Sequence, residues 1–173
     1  MMPEHSTITS VPIHSRGCSA RSAELLAPRL GLEPTLSRAG MFDGAWWPRT
    51  RDARAELPGV LEVLSSSLGV IVQAGLDIDE WDEVPRRLAV SGRIVQVGWS
   101  PARDHTMSVT CHDQVRFLLL VIPPQTAAGA AAAATWMATR TGNSSLAAEI
   151  FAIAGITPAI PGQTPASQTV DAE

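Results

Sequence analysis

The residues best suited to chemistry sit in one stretch, Asp43-Gly44-Ala45-Trp46-Trp47-Pro48-Arg49-Thr50-Arg51-Asp52. Two adjacent tryptophans are costly to expose, and an extended backbone sends successive side chains to opposite faces. Arg49 and Arg51 share a face if the chain stays extended past Pro48. A guanidinium can stack on an indole and still hold a carboxylate or phosphate. Asp43, Trp46, Trp47, Arg49 and Arg51 therefore form the candidate binding set. The competing structural role is a plug, with the tryptophans filling a seam between sheet and helix and Asp43 paired to an arginine.

Two further clusters have weaker chemistry. Asp77-Ile78-Asp79-Glu80-Trp81-Asp82-Glu83 packs five carboxylates into seven residues. A calcium loop needs oxygen ligands at alternating positions and a glycine at its sharp turn. Trp81 stands where a ligand is needed and no glycine follows, so an exposed acidic turn offset by Arg86 and Arg87 is expected. Asp104-His105 places an imidazole beside an acid, as in general base catalysis, but strand neighbours point to opposite faces. Of the two cysteines, Cys18 and Cys111, neither belongs to a C-x-x-C pair, and no metal site is expected. No G-x-S-x-G, G-x-G-x-x-G or H-E-x-x-H occurs. No catalytic residue is assigned and no cofactor is implied.

These residues need a frame. The chain of 173 residues fits one domain. Residues 1–28 and 157–173 are rich in Ser, Thr and Pro and read as disordered tails, leaving a folded unit at 29–156. A strand is expected at 29–35, then a loop over 36–50. Leu57, Val60, Leu61, Leu64 and Leu68 make one apolar helical stripe, with Pro58 in the first turn and Gly69 as the stop. Strands follow at 70–76, 87–91, 93–99, 105–111 and 115–122, with Ser91-Gly92 as a hairpin turn and Pro123-Pro124 as a terminator. Helices over 127–140, anchored by Trp136 and Met137, and after Ser144 or Ser145 complete the core. The expected fold is α+β, with an antiparallel sheet of about five strands packed on one side by helices.

Composition narrows the function classes. All 13 basic residues are Arg, and Lys and Tyr are absent, which excludes a catalytic lysine, a P-loop and a tyrosine acid. The net charge of -4 opposes a nucleic-acid role. The longest apolar run is too short to span a bilayer, and a cytosolic location is expected. Exclusive Arg usage fits a GC-rich genome, with Arg49 and Arg51 as the positions where it carries function.

The segments DGAWWPRTRD, ELPGVLEVL, GLDIDEW, PRRLAVSGRIVQVGW and LLLVIPP resemble an actinobacterial family of domains of unknown function marked by D-G-A-W-W-P-R-[ST]. The likeness spans about residues 29–140 and implies a bacterial protein without implying a reaction. The expected function is a non-enzymatic binding or interaction domain acting through Trp46, Trp47, Arg49 and Arg51 on an unidentified protein. The alternative is a small enzyme or sensor holding an anionic small molecule through Arg49. Oligomeric state is open.

Overall fold

A computed structural model describes residues 29–99 and 104–158. The expected tails lie outside the described residues, apart from Thr157 and Pro158. The strands are β1 (Arg29–Leu32), β2 (Gly44–Trp47), β3 (Ile71–Leu76), β4 (Arg87–Val90), β5 (Arg93–Trp99), β6 (Thr106–Cys111) and β7 (Arg116–Val121). The helices are α1 (Ala53–Leu68), α2 (Ala128–Ala138) and α3 (Ala147–Ala154). One mixed sheet has the order β1-β2-β7-β6-β3-β5-β4.

The α+β class stands, but the sheet is larger and less uniform than expected. Seven strands replace about five: each of the six strand segments read from the sequence pairs into the one sheet, and the expected loop 36–50 adds β2. Gly44-Ala45-Trp46-Trp47 has no alternation of apolar and polar residues, so it carries no strand signal of its own. The pairs β2–β7 and β3–β5 are parallel, and the other four pairs are antiparallel. Helices also cover both faces rather than one. Leu119 and Val121 point into the core beneath α1, while Leu120 and Ile122 pack with Ala131, Ala134 and Phe151. Alternate residues of β7 thus feed two separate cores, which explains why its sequence is apolar throughout.

Local signals account for most boundaries. Asp52 caps α1 by accepting from the Arg54 and Ala55 N–H groups at 2.9 and 3.1 Å. The helix therefore starts earlier than expected, and Pro58 lies inside it rather than in its first turn. The stripe from Leu57 to Leu64 is fully buried. Ser91 and Gly92 both have positive φ, as a tight hairpin turn requires. The first turn of α3 is capped by Glu149, whose Oε2 accepts from Leu146 N–H at 2.9 Å, not by Ser144 or Ser145.

The seat of α2 explains a second departure. Trp136 does not anchor the helix but is 62% exposed; its buried face is Ala131, Ala134 and Ala138. Alanines let the helix lie close to the sheet, and a Cβ on Gly31 would stand 2.7 Å from Thr135 Cγ2. The same economy of space appears at Gly44, where a Cβ would meet Gly31 O at 2.5 Å.

Buried Glu33 ties this corner together. Its carboxylate accepts from Thr35 N–H at 3.1 Å, from Ser37 N–H at 2.9 Å and from the Thr35 and Thr141 hydroxyls. The Thr141 hydroxyl, followed by these other donors against the opposing cost of burial, holds Glu33 at about 2, below the ordinary 4.5. A depressed carboxylate contributes stability that is complete above pH 4.5 and lost as pH falls through about 2. Glu33→Gln should therefore lower the urea midpoint at pH 7, and the gap from the wild type should close as pH drops across that window. A gap that stays constant down to pH 2 would contradict this role.

Candidate functional site

Both tryptophans of the central motif are placed by β2. Trp46 is fully buried and stacks on Trp81, with centroids 5.2 Å apart and planes inclined by 18°. Trp47 turns to the opposite face, as alternation requires, and packs half-buried against the α2 core. The cation on Trp47 is neither Arg49 nor Arg51. Arg29 of the neighbouring strand lies 3.5 Å from its ring centroid. Arg29 also donates through Nε to Trp47 O at 3.1 Å and through its terminal nitrogen to Pro48 O at 2.7 Å. Burial, followed by the nearby Arg49 charge, lowers its pKa. A partner 18 residues away in sequence follows from the β1–β2 register, which pairs Arg29 with Trp47.

Past Pro48 the motif walls a cleft of about 340 Å³. Pro48, Thr50 and Arg51 form one side. Asp77, Asp79, Glu80 and Trp81, just after β3, form another. Pro123 and Pro124 follow β7, and Asp104 and His105 precede β6. The shared direction of β2, β3 and β7 brings these ends together. The chain leaves β2 for α1 on one face and leaves β7 for α2 on the other. Neighbouring parallel strands whose connections depart to opposite faces leave a crevice at their carboxyl ends, a favoured ligand position in α/β sheets.

The electrostatics of the cleft are acidic. Four carboxylates, Asp77, Asp79, Glu80 and Asp104, line it against one guanidinium, Arg51. Arg51 is already engaged, 3.4 Å from Asp82 Oδ1 and donating to Asp79 O at 3.0 Å. Arg54 pairs with Glu83 at 3.0 Å. The acidic turn is thus met by Arg51, just before α1, and Arg54, in its first turn, where Arg86 and Arg87 were expected. Its geometry explains why: Asp82 N–H donates to Arg51 O at 3.0 Å, and Asp52 bridges Glu83.

His105 sits at the base of this arrangement with φ of 57°. Its Nδ1 contacts Glu80 Oε1, not the adjacent Asp104. Its ring meets Phe151 edge-on at 5.0 Å. Burial pushes the imidazole below its ordinary 6.5, opposed by the Asp77 charge. The Glu80 partner, 25 residues upstream, was not visible in the sequence because only the β3–β6 pairing makes them neighbours. Among the described residues no group of three or more His, Cys, Asp or Glu is arranged to hold a metal ion. Cys111 is buried and unbridged, and Cys18 lies outside the described residues.

The expected binding set is therefore divided. Arg51 lines the cleft, and Trp46 supports it from behind through Trp81. Trp47 lines a separate groove with Arg29 and α2. Asp43 is buried elsewhere, accepting from Leu118 N–H at 2.8 Å, and burial raises its pKa. Asp43 lines a different depression from Asp79 and His105, and Arg49 lines neither, so the set an anion site on Arg49 would need, Asp43 and Arg49 with one of His105 or Asp79, is not brought together.

Fold and site define an α+β domain with a crevice at the carboxyl ends of parallel strands. The chain belongs to a family of unknown function, DUF5994, which it matches over residues 29–138. That span starts at β1 and ends at the last residue of α2, so α3 lies beyond it. No curated protein and no solved structure is detectably similar. Among the described residues no helix is long and apolar enough to cross a membrane.

The Trp46–Trp81 stack predicts an asymmetry between tryptophans. Trp81→Ala should cost about 3–5 kcal/mol, the usual range for deleting a large buried aromatic. Trp99→Ala, at a 65% exposed position, should shift stability by no more than about 0.5 kcal/mol. Denaturant unfolding of both variants checks this; equal losses would contradict it.

Proposed function

We propose that this protein is a non-enzymatic binding domain whose recognition site is the cleft between Arg51 and the Asp77–Trp81 segment. The observation that supports it most is the position of that cleft, at the carboxyl ends of β2 and β7 where their connections diverge. The Trp-Trp-Pro-Arg motif serves the site in two ways. Trp46 fixes the acidic wall, and the chain after Pro48 supplies Thr50 and Arg51.

The ligand class follows from charge. Four carboxylates against an already paired arginine favour a cationic group, such as an organic amine, a guanidine or a basic peptide side chain. Pro48, Pro123, Pro124 and the Trp81 face offer apolar contact for its aliphatic part. The anionic ligand expected through Arg49 finds less support, since Arg49 does not line the cleft. Arg-only usage and the likeness to an actinobacterial family support a bacterial cytosolic setting.

One observation favours a second reading. Glu80 contacts His105 as an acid contacts a general base, inside a cleft. In that reading the domain is a small enzyme acting on the same cationic ligand, with His105 taking a proton and Glu80 orienting the ring.

Titration with agmatine and cadaverine, against phosphate and succinate, separates these ideas. The diamine and guanidine should shift the Trp81 indole and His105 ring resonances saturably, and the anions should not. Asp79→Asn should weaken agmatine binding about two- to fivefold, as expected for one partly exposed charge pair. Anion binding with no response to either cation would overturn the proposal. Chemical conversion of agmatine that stops in His105→Gln would favour the enzymatic reading.

A further inference from the structure

A second surface, on the far side of Pro48 from the cleft, has a different chemistry. A groove of about 430 Å³ runs between β2 and α2. Its walls are Trp47 and Trp136, and its floor is Ala128, Ala131, Ala132 and Thr135. Each tryptophan carries a guanidinium: Arg29 over Trp47 at 3.5 Å, and Arg140 over Trp136 at 4.9 Å. Arg49 adds positive charge near Arg29, and the Glu56 carboxylate offsets part of it. No acidic residue lines the groove. An exposed tryptophan beside an alanine floor is surface that folding leaves uncovered, in a groove whose charge is opposite to that of the cleft.

The chain itself offers a complement. Residues 159–173, AIPGQTPASQTVDAE, contain two prolines and end in Asp171 and Glu173, with no basic residue. Pro158 lines the same cleft as Pro123, Pro124 and Gln125, and Ala128, three residues after Gln125, is the near end of the groove. The 15 residues that follow Pro158 reach roughly 45 Å when extended. The groove along α2, from Ala128 to Trp136, needs only about 12 Å. Proline-rich segments favour aromatic-lined grooves because little chain entropy is lost on docking. Carboxylates at the far end would meet guanidinium groups.

We propose that the Trp47–Trp136 groove docks residues 159–173 of this chain, with prolines against the tryptophans and Asp171 and Glu173 toward Arg29, Arg49 and Arg140. The proposal is independent of the cleft reading, since no groove residue lines the cleft.

The test uses the full chain with Cys18→Ser and Ser167→Cys, spin-labelled at residue 167; buried Cys111 stays unlabelled. The indole N–H resonances of Trp47 and Trp136 should lose more than half their intensity, and that of Trp99, four strands away from β2, should keep most of it. Asp171→Asn with Glu173→Gln, or high salt, should restore the two signals. Uniform broadening, no broadening, or loss centred on Trp81 would overturn the proposal. So would broadening that appears only when labelled and unlabelled chains are mixed, because the occupant would then be a second copy.

Discussion

The stack of Trp46 on Trp81 is the constraint on which the rest of this protein's candidate chemistry depends. Trp46 is fully buried in a strand of four residues, and Trp81 is buried to all but 6% in a segment of otherwise acidic residues. Without an aromatic anchor, five carboxylates in seven residues would repel one another and swing into solvent. The stack instead brings Asp77, Asp79 and Glu80 back over the strand ends. Offset aromatic pairs add about 0.5–1.5 kcal/mol beyond the burial of their area, which is modest, but the burial itself is large and depends on both rings being present.

Topology converts this anchor into a site. Because β2 and β3 run the same way, the residues that follow each emerge at one end of the sheet. Arg51 and Arg54, on either side of the α1 N-cap, then face the acidic turn, and His105 just before β6 closes the base. The opposite side of β2 uses the same motif differently. Trp47 there meets Arg29 and an alanine helix, giving a groove with positive rather than negative character. One dipeptide therefore serves two surfaces because strand alternation sends its rings apart.

Much of the frame was legible in the sequence, for identifiable reasons. The Leu57–Leu64 stripe, the Ser91-Gly92 turn and the Pro123-Pro124 stop are local signals, and each lies where its chemistry requires. Pairing between distant segments was not legible. The parallel β2–β7 and β3–β5 ladders, Arg29 on Trp47, and Glu80 on His105 all depend on register. Trp136 misled for a different reason: a large aromatic usually anchors a helix, but here glycine and alanine make the contact and exclude it. Of the expected binding residues, Arg51 lines the cleft, while the acidic residues that form its other wall read in sequence only as an exposed turn.

The most direct measurement of this account is hydrogen exchange at the Asp82 amide, which donates to Arg51 O, in a Trp81→Leu variant. If the stack holds the acidic wall in place, that amide should exchange at least about tenfold faster, equivalent to about 1.4 kcal/mol of lost local protection. The Val109 and Leu119 amides of the central strands should keep their relative protection. An Asp82 amide that remains as protected as those of β6 and β7 would contradict the central role given to the stack.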